Sequence, residues 1–161
     1  GMILTDDENL GKLAKHITTT AKKSHPWKFV HDMTGYNYRL PNINAALGCA
    51  QMEKLPEILA NKRKTADQYR NYFRGILETE FITEPLSCSS NYWLNAILLP
   101  DRATQDEFLQ QTNDDKVTTR PAWVLMSKLL MYSGAVCCDL TTAEDIESRL
   151  VNIPSSAIFS R

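Results

Sequence analysis

Gly35-Tyr36-Asn37-Tyr38-Arg39-Leu40-Pro41-Asn42 is the stretch from which the organisation of this 161-residue chain can be deduced. It places a glycine, two aromatic residues, an amide and a guanidinium in five consecutive positions. The planar donors of Arg39 match a phosphate or a carboxylate, and in an extended segment the Asn37 amide lies on the same side. The pair therefore indicates an anion-binding clamp. The spacing also allows a turn in which Asn37 bonds to backbone and Arg39 is solvated.

The residues that follow predict a long helical region over positions 41–77. Pro41 suits a first helical turn because no amide donor is needed there. Pro56 lacks the amide for an internal helical bond, so we expect a kink or a restart after Leu55. The second half carries an apolar stripe whose aromatic members are expected in the core: Ile58, Leu59, Ala66, Tyr69, Tyr72, Phe73 and Ile76.

The residues before the opening stretch predict a strand at positions 2–4 and then a short helix. Thr5 stands three residues before Glu8, the spacing of a capping box, and apolar residues recur at helical spacing to about Ile17. Five lysines and no acid occupy positions 12–28, and three threonines in a row disfavour a helix. We expect a mobile, solvated basic loop there rather than a nucleotide site.

The remainder of the chain alternates between predicted strands and helices. Strands are predicted at 81–83, 92–99, 117–120 and 151–154, and the second is apolar on both faces, which indicates a central position. Helices are predicted at 104–113, 127–132 and 141–150, the first of them after another capping spacing, Thr104 to Glu107. The pattern predicts an α+β fold with helices packed on one face of a mainly antiparallel sheet.

Composition narrows the classes of function. A net charge of −1 argues against a nucleic-acid or membrane-surface partner and favours small molecules or protein. No apolar run approaches a membrane span and no signal-peptide layout opens the chain, so we expect a soluble, cytoplasmic location. The four cysteines form no C-x-x-C and no His stands at ligand spacing, so neither a metal site nor a disulfide framework is expected.

Residues 1–8, 35–48 and 51–55 together resemble the C-terminal portion of the DegT/DnrJ/EryC1/StrS sugar aminotransferases. The resemblance covers essentially the whole chain. Three later segments resemble the branch that aminates UDP-linked 4-keto-6-deoxy-N-acetylhexosamines on the way to legionaminic-acid or bacillosamine-type sugars of cell-surface polysaccharides: Ser90-Asn91-Tyr92-Trp93-Leu94-Asn95-Ala96, Thr119-Arg120-Pro121-Ala122-Trp123 and Val151-Asn152-Ile153-Pro154-Ser155-Ser156.

The resemblance implies a fold and an incomplete enzyme. It implies the small C-terminal domain of a fold-type I, pyridoxal 5'-phosphate-dependent transferase over residues 39–161, preceded by a remnant of the large-domain end at 1–38. In the family, an amino group passes from glutamate to the keto sugar nucleotide, and the enzymes are dimers with shared active sites. The family's Schiff-base lysine stands upstream of the part that this chain matches. The chain alone is then expected to be inactive and to bind no cofactor.

The resemblance also assigns roles to four residues. Asn37 and Arg39 match the family's Asn-x-Arg positions on a hairpin that crosses the dimer interface, which implies donors to the cofactor phosphate, or to a carboxylate, in the neighbouring subunit. The family often has Met-Ser-Glu where this chain has residues 40–42. Arg120 and Trp123 match a loop that faces the sugar nucleotide. A strand-end arginine and a buried tryptophan are the alternative for this second pair.

Two functions therefore remain open. The first is a C-terminal fragment of a nucleotide-sugar aminotransferase, with the large domain or a second copy of the chain as its partner. The second is a stand-alone binding or oligomerisation module that keeps the small-domain fold without catalysis.

Overall fold

The computed structural model describes residues 1–158 and separates the chain into two compact units, Gly1–Glu53 and Lys54–Arg161. Within the described residues the helices are α1 (Glu8–Thr18), α2 (Asn42–Phe73), α3 (Arg102–Asp114) and α4 (Thr141–Arg149), and the strands are β1 (Glu80–Phe81), β2 (Asn95–Leu98), β3 (Arg120–Pro121) and β4 (Leu150–Ile153). None of these helices is both long and apolar enough to cross a bilayer.

The second unit contains a four-stranded sheet in the order β1-β2-β4-β3, and each neighbouring pair is antiparallel. The central pair runs from Asn95 opposite Ile153 to Leu98 opposite Leu150. Burial alternates along both strands, so that Ile97 and its partner Val151 point to the same covered face. The predicted antiparallel α+β fold and the central position of the second strand are confirmed.

One hydrophobic core covers this face of the sheet. The second half of α2 and the helix α3 both pack against it, which confirms helices on one face. Its buried members are Ala66, Phe81, Tyr92, Ile97, Leu99, Val151 and Ile153, and the half-buried Tyr69, Phe73, Phe108 and Leu109 pack around them. Of the predicted aromatic stripe, Tyr69 and Phe73 are core residues, whereas Tyr72 is exposed.

Aspartates begin two of the helices, and in both places the predicted cap was wrong. The Asp7 carboxylate accepts hydrogen bonds from the amides of Asn9 and Leu10, whereas the Thr5 hydroxyl accepts one from the amide of Asp7. The Asp101 carboxylate accepts from the amide of Thr104, 2.8 Å away. In both places the aspartate, and not the predicted threonine, stands one residue before the helix, where a side-chain oxygen can accept from the free amides of the first turn.

Other expectations are corrected as well. The segment 2–4 forms no strand, and its side chains are exposed. Helix α2 continues through Pro56, so the restart after Leu55 is wrong, whereas the alternative of a kink there stays a prediction. Pro121 belongs to β3, which is possible because β3 is an edge strand. The predicted helix at 127–132 is two 3₁₀ turns, Met126–Lys128 and Leu130–Tyr132.

Two cations of α2 tie loops of the second unit to that helix. The Lys62 ammonium donates to the carbonyl oxygens of Tyr92, Trp93 and Ser155 at 3.4, 3.3 and 2.6 Å. The Arg63 guanidinium forms a bidentate salt bridge with the Glu84 carboxylate, with N–O distances of 3.1 and 2.8 Å. The pair holds the pKa of Glu84 below its usual value, helped by the amide of Ser90. These contacts fix the loop that leads into β2.

Gln105 is a fully buried polar side chain that joins α3 to the end of α4 and to β4. Its amide nitrogen donates to the carbonyl oxygens of Glu147 and Leu150 at 3.2 and 2.8 Å, and its oxygen accepts from Arg102 at 2.9 Å. We predict that Gln105→Ala lowers the free energy of unfolding by about 1–3 kcal/mol, because it leaves buried acceptors without donors. Urea denaturation of the purified chain measures this difference.

Gln110 provides the matched control on the same helix. Its side chain is exposed, and among residues 1–158 Asp114 is the one hydrogen-bond partner of that side chain. Gln110→Ala should change the free energy of unfolding by no more than about 0.5 kcal/mol. Equal effects of the two substitutions would mean that Gln105 does not connect these elements.

Candidate functional site

The segment 19–38 of the first unit is closed into a hairpin-like loop against the end of α1. The amide of Thr20 donates to the carbonyl of Tyr36 at 3.0 Å, and the amide of Tyr38 donates to the carbonyl of Thr18 at 2.9 Å. Thr19 and Asn37 face each other in an antiparallel bridge. The basic loop predicted to be mobile is therefore held by backbone hydrogen bonds, and it carries the opening sequence stretch at its closing end.

Position 35 has no room for a side chain, so it requires glycine. A Cβ atom at this position would lie 2.5 Å from the carbonyl carbon of Thr20 and 2.6 Å from the nitrogen of Ala21. Thr20 and Ala21 adopt left-handed backbone conformations, with φ values of 72° and 51°, and Ala21 is fully buried. The close approach of two backbones at Gly35 thus positions the residues that follow it.

Asn37 and Arg39 lie side by side on the exposed end of this loop. The side-chain oxygen Oδ1 of Asn37 accepts a hydrogen bond from the backbone amide of Arg39 at 3.4 Å, and one guanidinium nitrogen of Arg39 donates to the backbone carbonyl of Thr19 at 3.3 Å. Asn37 therefore does bond to backbone, as the turn alternative supposes. The guanidinium has five N–H groups, so this contact leaves donors available to a ligand.

These two residues line an open groove of about 880 Å³ within the first unit. Its polar lining includes Lys15, Thr18, Asn37 and Arg39, and none of its described lining residues is acidic. Two cations, a hydroxyl and an amide form a donor set suited to an anion such as a phosphate. The groove supplies no lysine in a desolvated setting, since Lys15 lies on the exposed surface of α1.

An ion pair braces the same loop. The Nε2 atom of His16 lies 2.6 Å from a carboxylate oxygen of Asp32, and the ammonium of Lys23 lies 3.9 Å from the other oxygen. The hydrogen bond from His16 is the main cause that lowers the pKa of Asp32 from its ordinary value. The His31 ring also bonds to the carbonyl of Thr20 at 2.7 Å. The loop is thus held by side chains as well as by backbone.

Arg120 and Trp123 lie together in a second groove, in the other unit. Arg120 stands in β3 directly opposite Asn152 of β4, and Trp123 follows the strand by two residues. The Trp123 side chain is 70% exposed, so the alternative of a buried tryptophan is wrong. Its ring stacks on Trp93, with the centroids 6.5 Å apart and the planes inclined by 22°.

Trp93 is a residue that the sequence reasoning missed, because it was absorbed into a strand predicted from 92 to 99. The strand begins only at Asn95, which leaves Trp93 in the preceding loop with 67% of its surface exposed. Two adjoining cavities of about 360 and 520 Å³ share Trp93, Leu94, Arg120 and Asn152 in their linings. The structure thus makes one aromatic and cationic groove on the sheet face that the core does not cover.

The sequence profile of the DegT/DnrJ/EryC1/StrS aminotransferase family matches residues 1–161. The chain is 30% identical over 155 residues to a GDP-perosamine synthase of Escherichia coli O157:H7, an alignment that covers 96% of this chain and 42% of that protein. The chain therefore spans about two fifths of the length of such relatives.

Solved structures share the fold. The aminotransferase PseC of Helicobacter pylori, involved in the biosynthesis of pseudoaminic acid, matches 97% of this chain with a TM-score of 0.86 at 20% identity, over 43% of its own length. The aminotransferase TlmJ of Streptoalloteichus hindustanus matches 96% of this chain with a TM-score of 0.84 at 18% identity, over 42% of its own length. At these identities the likeness concerns the fold.

The close approach of the two backbones at Gly35 can be tested by a substitution that adds one methyl group. We predict that Gly35→Ala opens the loop 19–38, because the added Cβ meets backbone atoms that cannot move without breaking the hydrogen bonds of Thr20 and Tyr36. Trypsin should then cleave faster at the loop lysines 22, 23 and 28. Gly48→Ala is the control, since a Cβ there meets nothing within 4 Å and alanine favours a helix. An unchanged cleavage rate in Gly35→Ala would contradict the packing argument.

The His16–Asp32 pair predicts a pH effect with a definite sign. Because the pKa of Asp32 is lowered in the folded chain, the pair stabilises the loop above the ordinary value of 3.8 and this stabilisation is lost as pH falls through the lowered pKa. An NMR titration should place the Asp32 midpoint below 3.8, and His16→Gln should raise it. His25→Gln, which changes a histidine packed against Trp27, should leave it in place. A wild-type midpoint at or above 3.8 would refute the pairing.

Proposed function

The chain belongs to the DegT/DnrJ/EryC1/StrS aminotransferase family, and on that basis we propose that it is the C-terminal part of a nucleotide-sugar aminotransferase. In this role it takes part in moving an amino group from glutamate to a UDP-linked 4-keto-6-deoxy sugar in the cytoplasm, on the way to a cell-surface polysaccharide. The observation that carries the proposal is the family match over all 161 residues, together with the cationic groove around Arg39.

The sugar nucleotide is the most specific part of the proposal. The motifs at 90–96 and 119–123 favour a UDP-linked N-acetylhexosamine. The relative in Escherichia coli O157:H7 is named for a GDP sugar, so a GDP-linked 4-keto sugar is the second candidate substrate. Both have a diphosphate and a planar base, and Arg120 and Trp123 are suited to either.

The family cofactor is pyridoxal 5'-phosphate, which supplies an aldehyde that carries the amino group between donor and acceptor. The donor set of the first groove fits its phosphate. Arg39 would bind the phosphate through its free N–H groups, Asn37 would orient the Arg39 backbone through the contact at 3.4 Å, and Lys15 would add a second positive charge. In the proposed dimer these residues serve the active site of the neighbouring subunit.

Large apolar side chains on the surface of the first unit support the proposal that another protein surface covers it. Met2, Leu4 and Ile43 are each more than 80% exposed, and Leu47 on the same helix as Ile43 is 63% exposed. Soluble proteins rarely leave so many large apolar side chains in water unless another surface covers them. We take that surface to be the large domain or a second copy of the chain. In this division, residues 1–38 end the large domain and residues 39–161 form the small domain.

We also propose that none of the lysines in this sequence is the Schiff-base lysine of the enzyme. None of the ten lysines stands in the sequence context that the family uses. Lys62, the half-buried one in the second groove, has its three N–H donors directed at backbone carbonyls. The chain alone is therefore proposed to be inactive.

We predict that the purified chain, mixed with pyridoxal 5'-phosphate and reduced with borohydride, gives no adduct at a single stoichiometric lysine. It should also give no product from glutamate with either a UDP-linked or a GDP-linked 4-keto-6-deoxy sugar. Absorption spectra, peptide mass mapping and chromatography of the sugar nucleotides measure these outcomes. One stoichiometric adduct together with turnover would show a complete enzyme.

The alternative function is a stand-alone binding or oligomerisation module. The genomic region before the coding sequence separates the two. A reading frame for the large domain joined to or directly upstream of this chain supports the aminotransferase role, and its absence supports the module.

A further inference from the structure

Two adjacent cysteines, Cys137 and Cys138, lie in the exposed connection between the second 3₁₀ turn and α4. Both thiols are free, and both residues are exposed. All residues of the connection from Met131 to Asp139 are exposed, and the side chain of Val136 lies fully in solvent. Free cysteine is among the residues most often buried in proteins, so an exposed pair is unusual. Reagents dissolved in water therefore reach both sulfur atoms.

The backbone of this connection is anchored at both ends and unbonded between them. At one end, the amide of Ala135 donates to the carbonyl of Tyr132 at 2.9 Å. At the other end, the Asp139 carboxylate accepts from the amide and the hydroxyl of Thr141 at 3.0 and 2.6 Å, where α4 begins. Within residues 1–158, the amides of positions 136–138 donate no hydrogen bond. The peptide unit between the two cysteines can thus turn without breaking one.

A disulfide between neighbouring residues is strained. Consecutive Cα atoms lie about 3.8 Å apart across a trans peptide, whereas the Cα atoms of most disulfides lie about 4.4–6.8 Å apart. Closing the ring requires the backbone between the two sulfurs to adjust, and the unbonded segment 136–138 permits this adjustment. Strain also makes a disulfide easier to reduce. A bond at this position is therefore suited to reversible formation rather than to a structural role.

We propose that Cys137 and Cys138 form a reversible oxidation site, at which a low-molecular-weight disulfide such as oxidised glutathione converts two thiols into one intramolecular disulfide. The thiolate of one cysteine attacks the small disulfide, which gives a mixed disulfide and releases one small thiolate. The thiolate of the other cysteine then attacks the first protein sulfur and releases the second small thiolate. Each released thiolate takes up the proton that a cysteine lost. Two protein thiols are oxidised, and one small disulfide is reduced to two thiols.

This site goes beyond the proposed aminotransferase role and does not depend on it. Cytosolic disulfides are usually transient and redox-sensing, which agrees with a strained pair in the proposed cytoplasmic location. Cys49 and Cys88 are also exposed, but neither has a cysteine next to it in sequence. A thiol without a second thiol in reach stops at the mixed disulfide. The adjacent pair is thus distinguished by its product.

The experiment uses the full chain with Cys49→Ser and Cys88→Ser, so that Cys137 and Cys138 are the remaining thiols. The reduced protein is diluted and mixed with excess oxidised glutathione at about pH 8, where exposed thiols are partly ionised. Mass spectra of the whole protein and of its peptides identify the product. We expect the loss of two hydrogen atoms and no bound glutathione. Excess reduced glutathione should then restore both thiols.

Single substitutions in the same background provide the matched controls. Cys137→Ser and Cys138→Ser should each stop at a mixed disulfide that carries one glutathione, because no second thiol remains to displace it. Serine is close to cysteine in size and both positions are exposed, so circular dichroism should show an unchanged fold.

Four outcomes would overturn the oxidation site. They are unmodified thiols after the incubation, a parent protein that keeps glutathione, a disulfide that joins two chains, and an intramolecular disulfide that survives excess reduced glutathione. None of them affects the aminotransferase role, which is tested separately by turnover and by the borohydride adduct. Turnover by the chain alone would overturn the fragment role and leave the oxidation site in place.

Discussion

The antiparallel pairing of β2 with β4 is the contact on which the second unit depends. These strands of four residues each lie more than fifty positions apart in sequence, and their alternating burial sets Ile97 beside Val151 under both α2 and α3. A sheet with such short strands can bury only one face under two helices. The opposite face stays uncovered, and there the register places Arg120 against Asn152 at the edge of the aromatic groove.

The two grooves are made by different physical means. The groove around Arg39 depends on a loop whose two backbones touch at Gly35, so its shape rests on the absence of a single side chain. The groove around Arg120 depends on strand register and on loops tied down by Lys62. Each groove offers cations without acids in its lining, and each belongs to its own unit.

Periodicity in the sequence was enough to predict the sheet, its antiparallel pairing and the aromatic residues that pack from α2. It could not locate the helix caps, because Thr5 and Asp7 are both good acceptors and only the three-dimensional path decides which one meets the free amides. It also missed Trp93, because an aromatic residue beside an apolar run fits a strand as well as a loop. Asn37 and Arg39 could be identified from the chemistry of their side chains. The contact between Gly35 and Thr20 could not be predicted, because no rule of sequence spacing brings these two residues together.

The three carbonyl oxygens gathered around the Lys62 ammonium restrict how this position can vary. A single nitrogen with donors pointing in three directions reaches Tyr92, Trp93 and Ser155 together, whereas a flat guanidinium spreads its donors in one plane. Exchange of lysine for arginine, usually a mild change between related proteins, would here separate α2 from two loops at once. Arg120, which lies open to solvent, is under no such restriction from its neighbours. The positive charge that holds the loops is thus restricted by the arrangement of its three acceptors, whereas within the described residues no such acceptors restrict the charge of Arg120.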